Sequence, residues 1–162
     1  DKCIDRSNSK QNKGWVFGKR GVNVAISYSN AEGDSYQFQL CDLTQRIETE
    51  PELLLEHFKK HFDLVIKRNN LYWYKPGCYM GWHHNARNDI DTDRIYLVWC
   101  DKDNKSFFRY RNPETGEIIT KWEKKGWNFN YFRLSKVENP SWHCLYSDCN
   151  RFSIGYRLEK RK

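Results

Sequence analysis

No stretch of this chain holds eighteen or more consecutive apolar residues, so no membrane-spanning helix is written into it. The first residues, Asp1-Lys2-Cys3-Ile4-Asp5, lack the apolar centre of a secretory signal. A soluble protein with no membrane partner is expected. None of the six cysteines (Cys3, Cys41, Cys78, Cys100, Cys144 and Cys149) forms a Cys-x-x-Cys pair, which excludes a zinc ribbon and a thioredoxin-type redox motif. Buried free thiols are expected, because a chain of 162 residues rich in aromatics does not need disulfide staples. No internal repeat, linker or low-complexity tract divides the sequence, and its length suits one core better than two; a single domain over residues 1–162 follows. Acidic residues are the minority charge, 21 against 28 Lys and Arg, a formal net charge of +7 that would favour an acidic partner such as nucleic acid. Much of that excess lies in Lys10 to Arg20 and Arg157 to Lys162, where a solvated basic tail explains it equally well.

What the chain has in abundance is aromatic side chains, seven Trp, ten Tyr and nine Phe, placed in short runs separated by Gly, Asn, Asp or Pro, the pattern of a mainly β domain with an aromatic core. Val22, Val24, Ile26 and Tyr28 alternate with small or polar residues, and Tyr36 to Leu40 follows as the second arm of a hairpin. Further strands are expected at Leu64 to Lys67, Leu71 to Tyr74, Arg94 to Cys100, Ser106 to Arg111, Glu117 to Trp122, Asn128 to Leu134, Trp142 to Tyr146 and Phe152 to Leu158. One helix is signalled: Thr49 caps it, Glu52 completes a capping box, Pro51 fits its first turn, and Leu54, Leu55, Phe58, His61 and Phe62 form its apolar stripe. His57 and His61 stand four apart there, but no carboxylate completes a His-Glu-x-x-His arrangement. Eight or more short strands with one flanking helix predict a sandwich or jelly roll.

Chemistry concentrates in two places. Residues two apart on a strand face the same way, so His83 and Asn85 would share one side while His84 turns to the other. His143, from a distant strand, supplies a second imidazole. On the last strand Arg151, Ser153, Gly155 and Arg157 share a face, and guanidinium, hydroxyl and bare glycine make a poor core but a good socket for a carboxylate. The bland alternatives are a hydrogen-bonded core histidine at position 83, an ion pair of Arg151 with an aspartate between Asp89 and Asp93, and Tyr74 and Tyr96 as core aromatics. Trp82, Trp99, Trp127 and Trp142 could stack bases, although packing is the commoner use of tryptophan.

Taken in order, Tyr74-x-x-Gly77, His83-x-Asn85, His143 and Arg151-x-Ser153 resemble the iron(II) and 2-oxoglutarate-dependent dioxygenases, with the segment Met80 to Asn85 similar to small oxygenases carried by bacterial viruses. The resemblance covers about residues 70–158. It implies a double-stranded β-helix with one or two flanking helices, His83 and His143 as iron ligands, Arg151 on the distal carboxylate of 2-oxoglutarate, and Ser153, Tyr74 and, in the demethylase branch, Arg157 around it. The family pattern has Asp where Asn85 stands, so Asn85, an aspartate from Asp89, Asp91 or Asp93, or an exogenous anion would complete the metal site. A hydroxylase working in a cell or a virus-infected cell is the resulting expectation, with its substrate not readable from the sequence and nucleic acid or protein both open. The competing one is a catalytically lapsed jelly roll that binds nucleic acid or a protein partner.

Overall fold

The computed structural model describes residues 3–4, 37–43, 56, 60, 64–85, 93–133 and 140–160. They form nine strands: β1 (Cys3–Ile4), β2 (Gln37–Asp42), β3 (Leu64–His83), β4 (Asp93–Cys100), β5 (Ser106–Arg111), β6 (Ile118–Glu123), β7 (Gly126–Arg133), β8 (His143–Ser147) and β9 (Arg151–Lys160). The expected strand Val22 to Tyr28 lies outside the described residues. So does the helix after Thr49, including His57 and His61, except for Glu56 and Lys60, both exposed.

All pairing is antiparallel, in the order β6-β5-β8-β3-β9-β4-β7, with β2 on β3 and β1 on β2. The twenty-residue β3 explains how one sheet becomes two facing layers. Its first part, Leu64 to Tyr74, pairs with β9, and its last part, Cys78 to His83, pairs with β8. Between them Pro76 has no N–H to give a ladder, and Gly77 takes φ +86°, a left-handed value that only glycine adopts without strain. The chain therefore turns a corner at Gly77 while staying in strand. One layer comprises the first part of β3 with β9, β4 and β7; the other comprises the last part of β3 with β8, β5 and β6. From β3 onward the chain passes between the layers, which closes a nearly complete barrel, the mainly β jelly roll expected from the sequence.

Strand alternation decides what lies inside. Arg151, Ser153 and Gly155 on β9 face inward as expected, against Tyr74, Tyr72 and Asn70 of β3 on one side and Cys100, Val98 and Tyr96 of β4 on the other. In the opposite layer the inward residues form three cross-strand rows: Glu123, Ser106, Ser147 and Cys78; then Lys121, Phe108, Leu145 and Met80; then Ile119, Tyr110, His143 and His83. Tyr74, Cys78, Met80 and Leu145 pack together as an inner core, and Cys78, Cys100, Cys144 and Cys149 are buried free thiols. The outer faces carry cores of their own, Trp82, Phe107, Trp142 and Tyr146 on one layer and Ile95, Tyr156 and Leu158 on the other. Burying that much apolar surface at about 25 cal/mol per Å² is what holds a fold built almost wholly from long-range pairs.

Candidate functional site

His83 and His143 meet at the third row. Their ring centroids are 4.2 Å apart. Each ring is fixed by its own backbone carbonyl two residues back: His83 Nδ1 donates to Gly81 O and His143 Nδ1 to Ser141 O, both at 2.8 Å. Those bonds set one tautomer, leaving a lone pair on each Nε2, the arrangement by which a carbonyl orients a metal-ligating imidazole. Both residues are buried, and both are poorer bases than usual. Desolvation brings the pKa of His83 down to about 4 and holds that of His143 well below the ordinary histidine value, where the neighbouring His83, His84 and Arg94 add to the effect. Neutral imidazoles at neutral pH are the form that binds a metal. The rings of Phe108 and Phe132, with centroids 5.5 and 5.3 Å from that of His143, wall the pair.

Asn85 joins them just beyond the end of β3, its Nδ2 lying 3.2 Å from His143 Nε2. Because Nδ1 of that ring is already the donor, the amide N–H donates here. Turning the amide over would present Oδ1 instead, so the donor set of two imidazoles and one amide oxygen fits a divalent transition ion. His84 points the other way, its ring edge-on to Trp142 at 4.9 Å, as the alternation required. Among the described residues no three His, Cys, Asp or Glu side chains converge on one point. Asp93 is not available to the histidines: it accepts from Arg133 Nε at 3.0 Å and from Tyr131 Oη at 2.6 Å on the outside of the barrel. Asp89 and Asp91 lie outside the described residues.

Arg151 is 1% exposed; its Nε–Nη2 edge is occupied, while the buried Nη1 has no hydrogen-bond partner. Nε and Nη2 each donate at 2.8 Å to a carboxylate oxygen of Glu123, a residue the sequence reading did not single out. Ser106 Oγ donates to Glu123 Oε2 at 2.5 Å, and the Cys100 thiol donates to the same oxygen at 3.7 Å. Tyr74 lies beneath the guanidinium, ring centroid to Cζ 5.0 Å. Burial pushes the Glu123 carboxyl up, but the Arg151 charge and the hydrogen bonds from Arg151 and Ser106 outweigh it and hold the pKa below the usual value. Burial acts against the Arg151 charge as well, and Glu123 overcomes it. An ion pair for Arg151 was the bland alternative, with an aspartate as partner; the partner is Glu123. Of the other residues expected around a co-substrate, Ser153 is buried one step further along the barrel wall and Arg157 three steps along, opposite Arg94. Glu123 was legible only through its alternation with Lys121, which puts both on one face of β6.

No family model matches the chain, and no curated protein matches it. Among solved structures it is similar to a prolyl-4-hydroxylase from Pseudomonas putida, at 13% identity over 89% of this chain and 86% of that one, with a TM-score of 0.51. A predicted oxalate decarboxylase from Thermotoga maritima aligns at 13% identity over 82% and 89% with a TM-score of 0.37, and the capsular polysaccharide assembling protein CapF of Staphylococcus aureus at 17% over 59% and 25% with 0.34. The likeness is one of fold. The hydroxylase aligns over most of both chains, and its fold is the jelly roll that the strand order describes.

Proposed function

We propose that the protein is an iron(II)- and 2-oxoglutarate-dependent oxygenase, a hydroxylase, with His83, His143 and Asn85 holding the metal. The observation that carries this reading is the meeting of two neutral imidazoles, His83 and His143, 60 residues apart in sequence, with both Nδ1 atoms tied to carbonyls so that each Nε2 keeps a lone pair, that of His143 now accepting the Asn85 N–H and free for an ion once the amide turns over. Bound iron would supply dioxygen activation. The chain's own contribution is to hold the rings by Gly81 O and Ser141 O, to exclude water with Phe108 and Phe132, and to offer a neutral third ligand in place of a carboxylate. An amide leaves the ion one charge more positive than a carboxylate does, so iron is expected to bind more weakly than at a site of two histidines and an aspartate.

The test is anaerobic titration with iron(II), followed by measurement of succinate formed from 2-oxoglutarate on admitting air. Iron binding that disappears in His143→Ala, together with succinate formation that disappears with it, supports the reading. A protein that binds no iron ends it.

A second reading, a binding module without catalysis, is favoured by one specific feature. Trp122, Trp127, Phe129 and Tyr131 are large, exposed apolar side chains, and Lys124, Lys125 and Arg133 adjoin them in sequence. Salt-sensitive binding of single-stranded nucleic acid that survives His83→Ala and His143→Ala would favour this reading.

A further inference from the structure

The expected carboxylate socket at Arg151 is poorly placed for a ligand reaching the histidines. Glu123, which occupies its Nε–Nη2 edge, stands in the first inward row of its layer and His143 in the third. The two rows are four residues apart along β8, about 13 Å at a rise of 3.3 Å per residue. Phe108, Leu145 and Met80, with Lys121 at the end, make up the row between them. A further carboxylate against the Arg151–Glu123 pair would leave a net negative charge buried in the barrel, which is strongly unfavourable.

A different site faces the histidines directly. A cavity of about 380 Å³ opens onto His143, and it contains no acidic side chain. Its charged lining is Arg111, Lys121 and Arg133. Lys121 stands in the row next to that of His143, and its ammonium donates to Phe129 O at 2.7 Å and to Asn130 Oδ1 at 2.9 Å. An ammonium has three N–H donors, so one remains for a ligand. Lys121 can only donate, which fixes the Asn130 amide with its oxygen toward the lysine. The Asn130 Nδ2 on the other side is buried, in a residue 5% exposed, and has no hydrogen-bond partner. A buried amide N–H with no protein partner beside a lysine, in a cavity lined by no carboxylate, is the donor chemistry that suits an anion.

We propose that Lys121 and Asn130 hold the acid end of a short dicarboxylate or 2-oxo acid in this cavity, its other end directed to the histidines, and that Arg151, its charge taken up by Glu123, does not bind it. The carboxylate accepts from Lys121 Nζ and from Asn130 Nδ2, and Arg111 adds positive charge at the mouth. This deepens the proposed function and rests on it only in naming 2-oxoglutarate as the natural acid. Arg151 becomes a structural residue of the closed end.

The experiment is calorimetric titration of succinate and 2-oxoglutarate into the full chain, metal-free and again with iron(II) under anaerobic conditions, where the charge-transfer absorption of a 2-oxo acid on iron gives a second readout. Lys121→Met should weaken both acids roughly tenfold or more, the loss of a charge-assisted hydrogen bond, without changing the affinity for iron. Lys121→Arg should recover part of that loss. The paired variant Glu123→Gln with Arg151→Met should bind both acids as the wild type does. Three results would overturn the proposal: acid binding unchanged in Lys121→Met, acid binding abolished in a folded Glu123→Gln/Arg151→Met protein, or no binding of either acid to the wild type in either state. Failure of iron to bind while the acids still bind through Lys121 would remove the oxygenase reading and leave this site standing.

Discussion

A guanidinium and a carboxylate taken wholly out of water lose several kcal/mol of hydration each, and only a good fork with additional donors makes up the loss. Arg151 and Glu123 meet that condition through two bonds of 2.8 Å, the Ser106 hydroxyl and the Tyr74 ring. The pair therefore behaves as a unit whose halves are each expensive alone. Arg151→Met, which strands a buried carboxylate, should destabilise the protein by about 3–5 kcal/mol. Adding Glu123→Met should recover most of that. Urea denaturation of the two single variants and the double variant checks this; a double variant as unstable as Arg151→Met alone would refute the coupling. That Arg151 faces inward was legible from its alternation with Ser153 and Gly155. Its partner was not, because β6 and β9 are never neighbours in the sheet order, and no local pattern reports a contact made across the barrel.

At the scale of elements, β3 shows what alternation can and cannot reveal. Its parts Leu64 to Lys67 and Leu71 to Tyr74 read as separate strands. In the structure one strand runs from Leu64 to His83, since Gly77 bends the backbone without leaving the ladder and the two sides of the bend find different partners. Ser106 to Arg111 coincides with its expected limits, and β4, β6, β7, β8 and β9 begin within two residues of theirs, because each is a run of aromatic or β-branched residues closed by turn residues. The corner at Gly77 carries the burden of joining the layers. Gly77→Ala meets no neighbouring atom, so its cost is conformational alone: a φ of +86° should cost an L-residue roughly 1–2 kcal/mol. Gly155→Ala differs, because an added Cβ there would run into Asn70 Oδ1 and Tyr96 on the facing strands. It should be the more damaging of the two in thermal unfolding, and equal losses would argue against the close approach at Gly155.

For the molecule as a whole, the histidine pair ties the end of β3 to the start of β8, so protons and metal ions at that point act on the stability of the entire barrel. In the metal-free protein His83 has a folded pKa of about 4 against an unfolded value near 6.5. The unfolded chain takes up the proton first as pH falls. The stabilisation contributed by the neutral ring is thus complete above pH 6.5 and is lost progressively down to pH 4, by about 3 kcal/mol for His83, with His143 acting in the same direction. Unfolding free energies measured across that range should fall more steeply in the wild type than in His83→Phe. On the proposed metal site a divalent ion would act oppositely, since it would bind only where the rings converge. Iron(II) at a hundred times its dissociation constant should add about 2.7 kcal/mol near neutral pH, and nothing in His83→Phe or His143→Ala. On the same proposal Asn85 would set how large that constant is. Asn85→Asp replaces a neutral amide oxygen by an anionic one beside two neutral imidazoles, and it should tighten iron roughly tenfold or more, so that saturating iron raises its unfolding midpoint further above the metal-free value than it does in the wild type. The same substitution made without metal should lower stability, because the buried His143 Nε2 would lose the N–H that Asn85 now donates and face a carboxylate instead. A larger iron-induced stabilisation in Asn85→Asp than in the wild type would place residue 85 on the metal, and an equal one would place it outside the coordination sphere.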